Sequence, residues 1–588
     1  MRVSAINGMQ FNAPKKINNV FMGMNLPYVN SVSPYDRVSF SGRKEEKFNL
    51  VDLDTAKFVA NSLSTSTSGH RAKYNNKFFT PEIVQLLTLG VAEYAKNNAK
   101  NPERPVVLIG GDTRNASVES LPLIKSILTK QGIDVISIKK PVPTPLLALY
   151  AKDQDVDLAI LMTASHNPWE DGGFNLVTKE GAIAPPEVTK EVADYAVKIA
   201  EEQKYITDTS KKGKSKTVFP YEIYKQALEN EGLIDWANIK KSNVSVYYDS
   251  LTGTGGNVVP RLFKDYGAPL HNIKSDEKVA THQEGPNPTK GNLTELAKAV
   301  REDSNSLKIG LANDGDADRF GIVDENGNFI TPNDVIMLTA YHLYKNKGLK
   351  GTIIRSQATS SQVDLFAEKY GLNVKQTPVG FKYIGEDIKK IRQNNEDILV
   401  AGEESGGLTV HGHIMEKDGI AATLLMLDLV ATEKKPISQI LNDIKEDIGV
   451  EYIVKASDLN LKGMPDGTKE TMMDNVKTIY KNALTGRTQF SPNFEIDVPK
   501  TQANYVSMEH YKEGGDGVKL YFKRSNPDII NPNDSCKNDS NEGISLLVRP
   551  SGTEPKMKIY IEAYGDTKDS VNANINEIDS ALKSKLNL

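Results

Sequence analysis

Ser165 and His166 lie in the hexapeptide Thr163-Ala-Ser-His-Asn-Pro168, directly after an apolar run of strand length at 158–162. A serine presented at the end of a buried strand, with an imidazole beside it, can act as a nucleophile. The same six residues also read as a Ser- and Asn-rich turn or helix cap, so alone they decide little. Asn313-Asp-Gly-Asp-Ala-Asp-Arg319 follows another apolar run, 309–312. Asp314, Asp316 and Asp318 alternate there with Gly315 and Ala317, a spacing that lets three carboxylates turn inward on one hard cation such as magnesium. The acids also fit the first ligand positions of an EF-hand, with Glu325 at the twelfth. That reading fails, because the sixth position, which needs glycine, holds Arg319, and the flanks read as strands. A solvated acidic turn is the remaining alternative.

Two further loops complete the set. Gly402-Glu-Glu-Ser-Gly-Gly407, after the run 398–401, offers two acids and a hydroxyl on a glycine-flexed loop, suited to the vicinal hydroxyls of a sugar or to a plain turn. His411 and His413 just beyond it could share one strand face, but without further ligands nearby they fall short of a zinc site. In Arg549-Pro-Ser-Gly-Thr-Glu-Pro555, Arg549 brings a planar fork, Ser551 and Thr553 bring hydroxyls, and Gly552 allows close backbone approach. Those are the parts of a phosphate cradle. A nucleophile, a hard metal, a polyol grip and a phosphate grip together describe phosphoryl transfer on a sugar phosphate.

Such loops need a scaffold. From about 51 onward, strand candidates at 106–109, 135–138, 158–162, 244–248, 309–312, 321–323, 352–354 and 398–401 alternate with helical stretches at 81–97, 186–202, 293–302, 335–345 and 421–432. This is the pattern of βαβ units, whose ligands bind beyond the carboxyl ends of the strands. After 457 the reading changes to antiparallel strands, at 545–548 and 557–563, and a last helix from about 570, a smaller α+β domain. Between 524 and 542 nearly every residue is a turn former, as in an inserted surface loop.

The chain has 588 residues, enough for roughly four domains at about 150 residues each. Lys and Arg number 72 against 76 Asp and Glu, a net charge of −4, so no basic excess collects nucleic-acid phosphates or anionic lipid. The single cysteine, Cys536, cannot pair within the chain, which fits a reducing cytoplasm. No apolar stretch is long enough to span a membrane, and the first 50 residues are expected to form a mobile tail without a secretory signal.

In this order and spacing, the four loops resemble those of the α-D-phosphohexomutases, the family of phosphoglucomutase and phosphomannomutase. Ser66-Thr-Ser-Gly-His-Arg71, Gly111-Asp-Thr-Arg114, Thr377-Pro-Val-Gly-Phe-Lys382 and Lys417-Asp-Gly419 add to the resemblance, which runs from about 63 to the C-terminus. It implies an α/β fold of three similar α/β domains with mixed sheets plus a smaller C-terminal α+β domain, around a central cleft. The boundaries expected are a tail at 1–50 and domains at 51–235, 236–347, 348–456 and 457–588, carrying the serine, metal, sugar and phosphate loops in turn.

The resemblance casts Ser165 as a phosphoserine that also ligates magnesium with Asp314, Asp316 and Asp318. Arg71, His166 and Lys179 are the further catalytic candidates. Arg319, Thr377, Gly380, Lys382, Glu403 and Ser405 would bind the sugar phosphate, and Arg549, Ser551, Gly552 and Thr553 would cradle its phosphate. The implied activity interconverts hexose 1- and 6-phosphates through a bound hexose 1,6-bisphosphate, in a monomer or weak dimer.

One departure concerns the chemistry. The family's Gly-x-Lys after the serine loop, regarded as the general base, is Gly173-Phe-Asn175 here, and an amide cannot accept the proton. Lys179, His166 or another group then takes the role, or activity is reduced. Ser66 and Ala72 stand where glycines are usual, and Gly407 where some bacterial phosphomannomutases have histidine. Gly-Glu-Glu-Ser favours glucose or mannose over glucosamine phosphates, because phosphoglucosamine mutases usually have glutamine at the position of Glu404; the motif does not divide the two epimers, of which glucose is the expected substrate and mannose the next. A phosphoglucosamine mutase and a catalytically weakened phosphosugar-binding homologue are the alternatives.

Overall fold

The computed structural model describes residues 51–66, 69–154, 156–203, 212–274, 285–465, 467–509, 517–525, 543–551 and 556–586. The expected N-terminal tail, Cys536 and most of the 524–542 stretch lie outside them.

Three mixed sheets share one plan. The first orders its strands His70–Lys73, Asp171–Thr178, Leu158–Met162, Val106–Gly111, Asp134–Ile138 and Ser215–Val218, the last four mutually parallel. Asp171–Thr178 runs antiparallel to Leu158–Met162. In the second sheet, Lys308–Asn313 is parallel to Ser245–Asp249 and antiparallel to the strand that follows it, Phe320–Val323. In the third, Ile398–Gly402 is parallel to Thr352–Ser356 and antiparallel to Leu408–Val410. The serine, metal and sugar loops are therefore the same structural object, a connection between a buried parallel strand and an antiparallel neighbour. Leu158–Met162, Lys308–Asn313 and Ile398–Gly402 are buried along their whole lengths, so each loop starts from a fixed platform.

The fourth sheet is antiparallel throughout, ordered Glu451–Asn460, Lys556–Gly565, Gly543–Pro550, Val518–Arg524 and Phe494–Ile496, with the helix Lys568–Leu586 packed on it. The first of these strands begins before 457, where the last domain was expected to start.

Between the second and third sheets runs the helix Gly419–Glu433, whose residues from Gly419 to Ala431 are all buried, as an apolar sequence on every face requires. Asp418 caps it by accepting the Ala421 N–H at 2.8 Å. Among the described residues, no helix is long and apolar enough to cross a membrane.

Candidate active site

The backbone of Ser165 sits at φ +50°, left-handed space that costs a residue with a side chain and that the surroundings must enforce. Arg114 enforces it. Its buried guanidinium donates to the carbonyls of Ser165 at 2.5 Å and Asn167 at 2.7 Å, and also to that of Pro168, while its Nε pairs with Asp112 at 3.0 Å. Asp112 also accepts the hydroxyls of Ser117 and Thr163, and Thr163 Oγ1 accepts the Ser165 N–H at 2.8 Å. Gly111-Asp-Thr-Arg114 is thus the mould of the serine loop, a role the sequence reading did not assign to it. Gly173 completes the mould, since a Cβ there would lie 1.9 Å from the Thr163 carbonyl oxygen.

The serine is aimed at the acidic loop. Its Oγ donates to Asp314 Oδ2 at 2.8 Å and lies 3.3 Å from His166 Nδ1. Asp314 Oδ1 accepts the Arg319 N–H at 3.1 Å, Asp316 Oδ2 accepts the Thr144 hydroxyl at 2.8 Å, and Asp318 Oδ2 pairs with Lys417 Nζ at 2.9 Å. The second oxygens of Asp316 and Asp318 are buried and accept no hydrogen bond among the described residues. The three side chains each offer one oxygen within 4.8 Å of the others. Asp316 and Asp318 therefore each have one oxygen held by the protein and another without a hydrogen bond, while Asp314 turns its Oδ2 to the Ser165 hydroxyl, an arrangement that fits a hard cation shared by the three carboxylates and the serine oxygen.

Electrostatics agree with that geometry. Burial and the charges of Asp316 and Asp318 push Asp314 well above the usual carboxylate range. Burial and Asp318 push Asp316 up to about 6. For Asp318 burial acts in the same direction, but Lys417 and Arg319 outweigh it and the net shift is downward. Crowded like charges of this kind are relieved by a divalent cation. His166 is driven well below the ordinary histidine value by burial and by Arg319, Arg71 and Arg114, so its imidazole is neutral at pH 7.

In the sugar loop, Glu403 is buried and accepts the Gly380 N–H at 2.8 Å, which ties the Thr377-Pro-Val-Gly380 turn to it. Burial, then Glu404, raises Glu403. Thr377 is buried as well, its hydroxyl on the Pro378 carbonyl. The stem of Lys417 crosses Gly407, where a Cβ would lie 2.2 Å from Lys417 Cδ, so any side chain at that position would displace the lysine.

A cleft of about 1060 Å³ draws walls from all four sheets' domains, including His166, Arg319, Ser405 and Tyr560. Arg71, on the edge strand paired with Asp171–Thr178, donates to the Ala164 carbonyl at 3.2 Å. Ser551 is buried and its N–H donates to the Lys556 carbonyl at 2.9 Å, and Arg549 lies beside the Tyr560 hydroxyl. Gly552 and Thr553 lie outside the described residues.

One expected catalytic residue, Lys179, is not brought to the serine. The register pairs Leu158 with Thr178 and Met162 with Phe174, so Lys179 lies past the end of Leu158–Met162 opposite Ser165. At about 3.3 Å per residue, that strand separates them by more than about 13 Å. Lys179 cannot reach the serine. Lys382 lines, with Lys179, a groove between the first sheet's domain and the helix Phe381–Gln393. Asn175 turns inward, its amide donating to the Thr163 carbonyl at 2.7 Å. His413 is bracketed by Glu231 at 2.7 Å and Asp418 at 2.8 Å, both ring nitrogens engaged, so it is a buried ion-pair partner and not half of a zinc site. Of the residues the sequence reading passed over, Lys417 stood in a recognised motif, whereas Thr144 is 172 positions from its partner and carried no local signal.

This fold and this set of loops define a protein whose domains jointly close a phosphotransfer cleft. Models of the phosphoglucomutase/phosphomannomutase α/β/α domains I, II and III match residues 62–203, 222–327 and 331–447, and that of the C-terminal domain matches 513–576. The chain belongs to that family, the α-D-phosphohexomutases. It is 27% identical over 523 residues to a Pyrococcus abyssi protein named a probable phosphoglucosamine mutase, covering 88% of this chain and 98% of the relative. With the phosphoglucomutase of Staphylococcus haemolyticus it shares 26% over 514 residues, 84% and 88% of the two chains. The crystal structure of Paramecium parafusin, a phosphoglucomutase in its open form, superposes with a TM-score of 0.66 at 22% identity, over 88% of this chain and 94% of that one.

Proposed function

We propose that the protein is a hexose phosphate mutase that moves a phosphoryl group between the 1- and 6-oxygens of glucose phosphate, with mannose phosphate next in order, through a phosphoserine at Ser165. The observation that carries this reading is the Ser165 hydroxyl, 2.8 Å from one of three clustered carboxylates and fixed in left-handed backbone by Arg114. Asp314, Asp316 and Asp318 would hold magnesium, with an oxygen on Ser165 as a further ligand. The ion would neutralise the phosphoryl charge and polarise its oxygens.

In the forward half-reaction, the Oγ–P bond of phospho-Ser165 breaks as the sugar 6-hydroxyl bonds to phosphorus and gives up its proton. The freed Ser165 Oγ takes up a proton; in the return half-reaction it bonds to the phosphorus of the 1-phosphate and gives that proton up, as the O1–P bond breaks and the sugar 1-oxygen takes a proton. His166 Nδ1, neutral and 3.3 Å from Oγ, is the acceptor this geometry favours, now that Lys179 is out of reach. Arg319 and Lys417 balance the acidic loop, Glu403 and Ser405 grip sugar hydroxyls, and Arg549 with Ser551 holds the phosphate that is not reacting.

The second reading is glucosamine phosphate. Glu404, whose identity favours glucose and mannose, spends its carboxylate on Ser356 at 2.9 Å and Tyr560 at 3.3 Å, so it constrains the substrate less directly than the motif suggests. The test is turnover of the 1-phosphates of glucose, mannose and glucosamine with magnesium and with EDTA, alongside intact mass for one covalent phosphate. No turnover of any of them by the phosphorylated protein would overturn the mutase reading in favour of a binding homologue.

A further inference from the structure

Strand Lys556–Gly565 turns Tyr560 and Glu562, two residues apart, toward the third sheet's domain. Glu562 is buried and makes a dense set of bonds. Its carboxylate accepts the Ser545 hydroxyl at 2.9 Å, Lys519 Nζ at 3.1 Å, and the Ser361 hydroxyl and N–H at 3.1 and 3.2 Å. Lys519 reaches on to the Gln357 carbonyl at 3.0 Å. Tyr452 meets the Ser361 hydroxyl at 2.8 Å. The phosphate-loop domain is thus bonded to one short segment, 356–361, that follows the strand Thr352–Ser356.

The other end of that segment holds the sugar loop. Ser356 Oγ donates to Glu404 at 2.9 Å, and Thr359 Oγ1 accepts the Glu404 N–H at 3.1 Å. Tyr560 bridges the two domains directly, its hydroxyl 3.3 Å from Glu404 and beside Arg549 of the phosphate loop. Arg355 stiffens the segment from behind, donating to the Thr359 carbonyl at 3.3 Å and to Asp364 through Nε at 2.7 Å.

We propose that residues 356–361 and Tyr560 form a clamp between the sugar and phosphate loops, with Glu562 as its positioning residue, that retains the hexose bisphosphate between the two phosphoryl transfers. The proposal rests on the mutase reading for its substrate. Once phospho-Ser165 has given its phosphoryl group to the 6-oxygen, the product is a free serine and a bisphosphate held by no covalent bond. If the bisphosphate leaves, the serine stays dephosphorylated and the enzyme halts until bisphosphate is supplied. A clamp that fixes Arg549 over the sugar loop opposes that loss.

The test uses full-length protein carrying labelled phosphate on Ser165, given unlabelled glucose 1-phosphate and magnesium. Retention sends the label into the 6-phosphate product, and escape leaves it in free bisphosphate. Glu562→Gln is expected to raise the escaped fraction, and the added glucose 1,6-bisphosphate needed for half-maximal rate, by at least about fivefold, the low end of coupling between sites. Amide hydrogen exchange supplies a readout independent of turnover. In Glu562→Gln, residues 402–407, which Glu562 does not touch, should lose protection together with 356–361. An unchanged escaped fraction, or exchange raised only beside Glu562, overturns the clamp. Ser361→Ala, which deletes one hydroxyl and leaves the Lys519 pair, gives the same readouts with smaller shifts should Glu562→Gln fail to fold. A wild type that turns over no hexose phosphate defeats the mutase reading, and the exchange arm then still judges the clamp.

Discussion

Two clusters of buried carboxylates in this molecule have opposite fates. Around Asp314 and Asp316, burial and mutual repulsion dominate, and Asp316 is pushed up to about 6, while Lys417 and Arg319 hold their neighbour Asp318 down. At the junction of the third and fourth sheets' domains, burial is as complete, but Lys519, Arg355 and three hydroxyls surround Glu562 and hold it down at about 2. Two of the three carboxylates in the first cluster stay under-compensated, whereas Glu562 is surrounded by positive charge and donors. Carboxylates left under-compensated at one point, in a chain that compensates them fully elsewhere, suit that point to a cationic ligand. The Glu562 cluster supplies rigidity between domains.

The largest effect that sharpens this contrast lies in the first cluster. Ser165→Ala should lower turnover by more than about a hundredfold, because it removes the proposed phosphoryl carrier, while leaving the fold and sugar-phosphate binding nearly intact. Rate, thermal midpoint and calorimetric binding check the three parts. A smaller loss would remove the serine from the chemistry.

Neutralising one carboxylate in each cluster should then move stability in opposite directions. Asp316 is raised from 3.8 to about 6, so the folded state retains a proton the unfolded chain has released. That handicap grows as pH rises from 3.8 to about 6 and is full above it, on the order of 3 kcal/mol at about 1.4 kcal/mol per unit. Glu562 is lowered from 4.5 to about 2, so its contribution is full above 4.5 and is lost as pH falls through about 2. At pH 7.5 without metal, Asp316→Asn is expected to raise the unfolding free energy and Glu562→Gln to lower it, the latter by about 3 kcal/mol as for a broken buried pair. Denaturant titration of both variants decides it, and shifts of the same sign would erase the distinction.

The same contrast separates what was legible in the sequence from what was not. Asp314, Asp316, Asp318 and Ser165 could be read because each loop keeps its chemistry within a few residues after an apolar run. The three mixed sheets followed from the alternation of strand and helix signals. Short partner strands such as Leu408–Val410 carried too little periodicity to be seen. Lys179 was drawn in by closeness in sequence to Asn175, whereas the antiparallel return of Asp171–Thr178 carries it away from Ser165. Glu562, Lys519 and Thr144 escaped notice for one physical reason. Their partners are distant in the chain and meet only when domains dock.

Magnesium should stabilise the protein more at neutral than at acid pH. The ion competes with protons at Asp314 and Asp316, both raised, so affinity falls as pH drops through about 6. Between pH 7.5 and 5 the apparent affinity is expected to weaken by more than about tenfold, read as a smaller rise in thermal midpoint at fixed magnesium. Equal rises at both values would mean that the ion does not sit among these carboxylates.

The smallest predicted effect isolates how the first cluster is held open. Thr144 comes from the first sheet's domain, at the start of the helix Thr144–Asp153, and grips the acidic loop twice: its N–H donates to the Asp316 carbonyl and its hydroxyl to Asp316 Oδ2, each at 2.8 Å. The second bond leaves Oδ1 as the oxygen available to a cation. Thr144→Val keeps shape and backbone but deletes the hydroxyl, so Asp316 can rotate and the ion must pay to reorient it. Groups that orient metal ligands in this way typically contribute about 10- to 100-fold in affinity, and one neutral hydroxyl belongs at the lower end, about tenfold. Manganese titration followed by electron paramagnetic resonance measures this without turnover. The thermal midpoint without metal should fall only modestly, because the valine methyl fills the space of the hydroxyl but leaves Asp316 Oδ2 without its donor. Unaltered manganese affinity would show that the acidic loop holds its geometry without help from the neighbouring domain.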